Sequence, residues 1–124
     1  MSVLPETVMK AWDNRKGPVS FATIDPKGIP NVIYATCVSR FSEDTLLIAD
    51  NYFDKTRANI LSGSRGSILF ITNDDEAFQV KGVVEYIKEG EIFDDMKKWN
   101  PQKHPGNAVA ALKVDEVYSG AKRL

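Results

Sequence analysis

The feature that most constrains this chain is the placement of turn-forming residues between short apolar segments. Residues 25–28 (Asp-Pro-Lys-Gly), 42–44 (Ser-Glu-Asp) and 73–75 (Asn-Asp-Asp) each combine residues that favour tight turns. Directly after the last of these turns, residues 77–88 alternate apolar and polar side chains, which is typical of a β-strand with one buried face. Strands this short form a stable sheet only when the sheet closes or stacks, so the pattern predicts a small β-barrel or sandwich.

We predict six strands and three short helices in a single domain that spans residues 1–124. The strands are 19–24, 30–38, 46–51, 67–72, 77–88 and 108–114. The helices are 5–16, 55–61 and 91–99, of which the first and third carry apolar residues at helical spacing. Hydrophobic residues make up 43% of the 124 residues, which is enough for one packed core.

The composition excludes several classes of function. The net charge is −1, from 16 basic and 17 acidic residues, so the chain lacks the basic field that attracts nucleic acid. No apolar stretch approaches the ~20 residues that cross a bilayer, and residues 1–10 lack the basic start and apolar core of a signal peptide. A single cysteine forbids an internal disulfide, so we expect a protein of the reducing cytoplasm with neither nucleic acid nor membrane as partner.

The most informative segment is residues 46–61, where a strand leads through a short polar turn into a helix. Asp54 is expected to cap that helix, which brings Lys55, Thr56 and Arg57 into its first turn. A lysine, a hydroxyl and an arginine beside free backbone amides favour a phosphate group. From composition alone, however, a capped helix with solvated charges is the favoured interpretation, and both remain open at this point.

Three stretches of this region carry a family resemblance: Ile48-Ala49-Asp50-Asn51, Lys55-Thr56 and Asn59-Ile60-Leu61. Together with the order of elements along most of the chain, they resemble the FMN-binding split-barrel superfamily, which includes pyridoxamine 5′-phosphate oxidase. The resemblance implies a mainly β (β+α) fold, a six-stranded antiparallel split β-barrel with short flanking helices. It also implies a homodimer that binds FMN at its interface.

The same resemblance implies roles for individual residues. Lys55 and Thr56 would bind the phosphate, and Gln79 would approach the flavin ring from strand 77–88. Two further stretches would line the cofactor. Ile33, Tyr34, Ala35 and Thr36 would run along the flavin, and Ile48, Ala49, Asp50 and Asn51 would line the ring and the ribityl chain, largely by backbone groups.

One departure from the family pattern narrows the expected activity. The full oxidases carry basic residues on the strand that matches residues 33–38, whereas this chain has the uncharged Ile-Tyr-Ala-Thr-Cys-Val there. We therefore expect a small FMN-binding oxidoreductase or electron carrier that serves a small-molecule donor or acceptor. Three alternatives remain: a flavin-dependent oxidase or reductase of a phosphorylated small molecule, a flavin-free binding or interaction module, and a haem-handling protein that would use His104, the only histidine. We assign no catalytic residue and no metal ligand, and interpret Cys37 as a buried mid-strand residue and His104 as loop surface.

Overall fold

The computed structural model describes residues 4–124; the expectation about a signal peptide concerns, in part, residues 1–3, which lie outside the described residues. The described residues form three helices and eight strands rather than the six strands predicted. The elements are α1 (Glu6–Asp13), β1 (Val19–Ile24), β2 (Pro30–Ala35), β3 (Val38–Ser42), β4 (Thr45–Asp50), α2 (Lys55–Leu61), β5 (Arg65–Ile71), β6 (Ala77–Ile87), α3 (Glu91–Trp99), β7 (Ala108–Ser119) and β8 (Lys122–Arg123). No helix among them is long and apolar enough to cross a membrane.

All strands belong to one antiparallel sheet with the order β2-β1-β5-β6-β7-β4-β3, and β8 pairs with β7. The two edge strands, β2 and β3, are nevertheless neighbours along the chain, separated only by Thr36 and Cys37. The three Cα–Cα steps from Ala35 to Val38 span no more than about 11 Å, so the sheet has to curl until its two edges approach each other at this end. The result is a split barrel, mainly β as expected from the sequence.

The extra strands arise where the chain changes its pairing partner. The predicted strand 30–38 is in fact two strands, because Ala35 pairs with Val19 on β1 whereas Val38 pairs with Ile48 on β4. The predicted last strand, 108–114, continues to Ser119 and is followed by β8. A bulge in β7 explains why the predicted strand ended too early. Lys81 pairs with Glu116 and Gly82 with Val114, so the β7 residue between Val114 and Glu116 has no partner on β6 and the alternation of buried and exposed side chains shifts there.

Strand β4 is buried on both faces, which accounts for its continuous apolar sequence. Leu46 and Ile48 point into the main core, together with α1 and the inner faces of the other strands. Leu47 and Ala49 pack instead into a second cluster beneath α3, whose Met96 is fully buried. This double burial fixes the end of β4, and therefore the turn that follows it, between two packed layers.

Candidate functional site

A cavity of about 250 Å³ opens where β2 bends into β3. Its walls come from that bend, the end of β4, the turn before α2 and the loop before β7. They are formed by Ile33, Tyr34, Ala35, Thr36, Cys37, Ala49, Asn51, Tyr52, Phe53 and His104. Six residues expected to line a flavin, the run 33–36 with Ala49 and Asn51, therefore surround one common space.

The edge strand β2 gives the cavity both a polar and an apolar surface, the first from its backbone and the second from its side chains. It pairs only with β1, so one side of its backbone has no strand partner within residues 4–124. The side chains of Ile33 and Ala35 are half-buried against the core, whereas Tyr34 on the opposite face is 78% exposed. The cavity thus has backbone donors and acceptors available at an apolar surface, and it is open on the side of Tyr34.

Asn51 shapes the cavity through hydrogen bonds that occupy its side chain. Its Oδ1 accepts from the Gly106 amide at 3.0 Å and from Asn100 Nδ2 at 2.9 Å, and its own Nδ2 donates to Asn100 Oδ1 at 3.0 Å. Both asparagines are buried. The pair holds the turn after β4 against the loop before β7, so this residue reaches a ligand mainly through its backbone.

Two of the residues expected to line the flavin largely by backbone groups have side chains that do not line the cavity. Ile48 is 1% exposed, and its side chain belongs to the main core. Asp50 is fully buried beneath the turn, where its Oδ1 accepts from the Phe53 amide at 2.9 Å. Both residues support the wall that Ala49 and Asn51 form, and neither side chain lines it.

Asp50 is the centre of a charged cluster that joins β4, α2 and β6. Arg57 donates to it from Nε at 2.9 Å and from Nη2 at 3.3 Å, and the Tyr86 hydroxyl also donates to it. The hydrogen bond to Asp50 raises the pKa of Arg57. Burial, and then the hydrogen bond to Asp50, raises the pKa of Tyr86 above its ordinary value. The cluster explains why an arginine is tolerated in the first turn of α2, where the helix dipole disfavours it.

The start of α2 differs in detail from the sequence prediction. Asp54 occupies the N-cap position but makes no capping hydrogen bond with its side chain, whereas Asp50 accepts from the Phe53 amide just before the helix. Thr56 is 1% exposed, and its hydroxyl accepts a hydrogen bond from Asn31 Nδ2 at 3.0 Å. Lys55 is exposed and has no hydrogen bond or ion pair to residues 4–124. Its ammonium group is therefore available to an anion.

Gln79 lies on the outer face of the sheet and not in this cavity. Its Nε2 donates to Ser67 Oγ at 2.9 Å, and both line a shallow depression between β1, β5 and β6. The pairing register runs from Tyr34 through Ser20 and Leu69 to Gln79, so Gln79 shares a cross-strand row with a residue of the cavity wall. A contact between Gln79 and a ligand in the cavity would require a second copy of the chain.

Sequence reasoning missed the pairing of Tyr52 with His104. The Tyr52 hydroxyl lies 3.1 Å from His104 Nδ1, and the two rings meet edge to face at 5.5 Å. Both line the cavity, as does Cys37, which is half-buried in the bend rather than in mid-strand. The sequence did carry one signal for this pair: Tyr52 is an aromatic residue within a turn, Asn-Tyr-Phe-Asp, whose geometry does not require it.

Comparison with known proteins agrees with this arrangement. A family model for pyridoxamine 5′-phosphate oxidase matches residues 6–120. The chain belongs to the pyridoxamine 5′-phosphate oxidase family. It is 34% identical to the uncharacterized protein MJ0282 of Methanocaldococcus jannaschii over 122 residues, which cover 94% of this chain and 80% of that protein.

Several solved structures share the fold of this member of the pyridoxamine 5′-phosphate oxidase family. HupZ of Group A Streptococcus superposes with a TM-score of 0.81 at 23% identity, covering 94% of this chain and 93% of that one. An FMN-binding protein of Syntrophomonas wolfei gives a TM-score of 0.73 at 22% identity, with 91% and 94% covered. The haem storage protein HutZ of Vibrio cholerae gives 0.67 at 14% identity, with 95% of each chain covered. At these identities the likeness establishes the split-barrel fold.

Proposed function

We propose that this protein is an FMN-binding flavoprotein that works as an oxidoreductase or electron carrier. The observation that carries the proposal is the cavity at the β2–β3 bend, where an apolar surface meets the unpaired backbone of an edge strand. A flavin ring needs this combination, because its two hydrocarbon faces favour apolar contact and its polar edge needs hydrogen-bond partners. The FMN-binding protein of Syntrophomonas wolfei, with the same fold, supports this choice of cofactor.

A phosphate position lies at the far end of β2. Ile33 lines the cavity, and Asn31, two residues earlier on the same face of the strand, donates to Thr56. The unpaired ammonium of Lys55 is adjacent to Thr56 in the chain. The residues present therefore fit FMN: those of the bend would hold the ring, and Lys55 and Thr56, with Asn31, would hold the phosphate through their side chains.

The redox chemistry would belong to the cofactor, which accepts and returns electrons at its ring. The chain itself would bind and orient the flavin and exclude water from one face of it. The described residues place one imidazole at the cavity, that of His104, and it lies on a loop rather than on a barrel strand. We therefore propose no catalytic acid or base on the barrel strands and look for the substrate at the loop that carries His104.

We further propose that two copies of the chain complete the site. The outer face of the sheet carries exposed apolar side chains: Val32 at 65%, Tyr34 at 78%, Ile24 at 45%, Leu69 at 48% and Val83 at 56%. This face borders the open side of the cavity, where Tyr34 belongs to both. A second copy packed there would cover the apolar face, close the cavity and bring its own Gln79 towards the ring.

Identification of the bound cofactor tests the proposal. The purified protein is expected to show the two visible absorption bands of an oxidised flavin, and mass spectrometry of the ligand released by heat should give FMN. Protein stripped of its ligand should quench FMN fluorescence with one FMN bound per chain. Bleaching by NADH or NADPH would identify a reductase, whereas bleaching only by dithionite would identify an electron carrier. A colourless protein that does not quench FMN would refute the flavoprotein proposal.

A haem-handling function is the second candidate, and one observation favours it. His104 lines the cavity with Nδ1 directed at Tyr52, which leaves Nε2 free to ligate a metal. HutZ of Vibrio cholerae, a haem storage protein, has the same fold. In the same titrations haem would give a single intense band near the violet, and His104→Ala would abolish it. Retention of that band in His104→Ala would exclude this histidine as the ligand.

A further inference from the structure

A second cavity, of about 470 Å³, adjoins the first and shares one wall with it. It lies between the end of α3 and the loop before β7, and His104 lines both cavities. The other lining residues are Lys97, Asn100, Pro101, Gln102 and Pro105. Its volume is within the range of about 300–1,000 Å³ that small-molecule sites occupy.

Hydrogen-bond donors dominate this second cavity. Lys97 Nζ donates to the Pro105 carbonyl at 3.0 Å, which uses one of its three N–H groups and directs the ammonium across the loop. The side-chain amide of Gln102 is exposed and has no partner in residues 4–124. His104 offers Nε2, since its Nδ1 is engaged by Tyr52. No aspartate or glutamate lines the cavity.

The charge near this cavity is positive. Residues 97–104 include Lys97, Lys98 and Lys103 and contain no acidic residue. The nearest acid along the chain, Asp95, accepts a hydrogen bond from Trp99 Nε1 at 3.2 Å. A single lysine with neutral donors beside it matches one negative charge, as on a carboxylate, better than the two charges of a phosphate monoester.

The wall between the two cavities is fixed in advance of any ligand. The reciprocal hydrogen bonds of Asn51 and Asn100, and the bond from the Gly106 amide, join the turn after β4 to the loop before β7. Tyr52 and His104 close the same wall at the surface. A group held in the second cavity would therefore sit beside whatever occupies the first, at a constant separation.

We propose that the second cavity binds the carboxylate of a small-molecule substrate, with Lys97, Gln102 and His104 Nε2–H as donors. This inference rests on the proposed flavin function, because the bound carboxylate belongs to a substrate only if a flavin occupies the first cavity. It requires the His104 tautomer in which the Tyr52 hydroxyl donates to Nδ1 and the proton is on Nε2. The haem-binding alternative requires the opposite tautomer, with the lone pair on Nε2.

The single histidine makes the proposal directly measurable. Protein labelled with ¹⁵N-histidine and free of a histidine tag gives one set of imidazole signals, from His104. Acetate titrated at constant ionic strength against sodium chloride, with and without saturating FMN, should shift these signals saturably, and inorganic phosphate should do so more weakly. The signals of the unprotonated ring should also report the Nε2–H tautomer.

Matched variants separate direct contact from general charge. Lys97→Met is expected to weaken acetate binding about 10-fold, the loss of one charge-assisted hydrogen bond. Lys98→Met removes the same charge from a residue outside the cavity and should change binding less than 2-fold. Gln102→Ala breaks no hydrogen bond within the described residues and should weaken acetate binding about 3-fold. It therefore tests the site independently of Lys97→Met, which could also disturb the loop by removing the hydrogen bond to Pro105.

The possible failures are distinguishable. Signals that respond to acetate no more than to chloride, or equal losses in Lys97→Met and Lys98→Met, would overturn the carboxylate site. Tighter binding of phosphate than of acetate would overturn the assignment of ligand class. If FMN binds normally in those samples, the flavin proposal stands without this subsite; if acetate binds but FMN does not, the link to a flavin substrate is lost.

Discussion

Replacement of Lys55 by alanine tests the phosphate position with little disturbance of the fold. The side chain is exposed and forms no hydrogen bond or ion pair within residues 4–124. Surface substitutions of this kind change stability by about 0.5 kcal/mol or less. The neighbouring Thr56 is less suitable, because it is 1% exposed and accepts from Asn31, so its removal would leave a half-buried donor without a partner. Any loss of FMN binding in Lys55→Ala should therefore come from the missing ammonium.

The expected size of the loss follows from that single contact. A hydrogen bond to a charged group contributes about 1.5–3 kcal/mol, so its loss should raise the dissociation constant for FMN about 10- to 150-fold. Riboflavin has the same ring and ribityl chain without the phosphate, so its affinity should change by less than about 2-fold. Quenching of flavin fluorescence, measured for both ligands at low and at moderate salt, provides the two constants. The difference between FMN and riboflavin should be larger at low salt.

Lys88→Ala is the matched control, since Lys88 is also an exposed lysine but lies beyond the end of β6 and lines neither cavity. It should retain the FMN affinity and the FMN-to-riboflavin preference of the wild type. If Lys55→Ala also retains that preference, the assignment of the phosphate to the start of α2 is refuted. Equal weakening of FMN and riboflavin would refute it as well, because that result would indicate a damaged ring site.

Four further substitutions test the fold and the assembly. Asp50→Asn should lower the free energy of unfolding by about 2–4 kcal/mol in urea, because it leaves a buried cluster without its anion; an unchanged midpoint would contradict this role. Tyr86→Phe should lower stability at pH 7 by roughly 1–2 kcal/mol through loss of its hydrogen bond to Asp50. The raised pKa of Tyr86 also means that wild-type stability declines as pH rises from about 10 through the native pKa, and the variant should lose less there. Gly82→Ala should destabilise by roughly 3 kcal/mol in thermal unfolding, since its Cβ would lie 1.9 Å from the Lys113 carbonyl oxygen; a wild-type melting temperature would refute that clash. Val32→Glu, at a side chain 65% exposed, should convert the proposed dimer to monomers in light scattering without unfolding the chain; a wild type that is monomeric, or a variant that is dimeric, would contradict the proposed interface.

Local sequence patterns predicted the elements whose neighbours lie close in the chain. The helices 55–61 and 91–99 are confirmed residue for residue, and strand 19–24 is confirmed with its hairpin turn. The apolar face of the first helix is confirmed too, with Val8 and Trp12 almost fully buried, although that helix is shorter than predicted. In each case the signal was a periodicity or a turn within a dozen residues.

The errors occurred where distant residues decide the local structure. The bend at Thr36 and Cys37 exists because β2 and β3 have different partners, β1 and β4, and nothing in the sequence of the bend marks that change. The role of Asp50 was likewise set by residues far along the chain, since its hydroxyl partner Tyr86 is 36 positions away. The side chains of Ile48 and Asp50 are buried, so the expected contacts of these two residues with a flavin stay a prediction for their backbone groups.

The position of the cavity links cofactor binding to self-association. The interior of the barrel is filled by the main hydrophobic cluster, as expected for a small barrel, so a ligand has to bind at the split instead. One chain encloses about 250 Å³ there, less than small-molecule sites usually offer, and the open side meets the exposed apolar face at Tyr34. If a second chain supplies the missing wall, then dimerisation must strengthen FMN binding and FMN must strengthen the dimer by the same factor. An FMN affinity that stayed constant as dilution dissociated the dimer would show that one chain is sufficient.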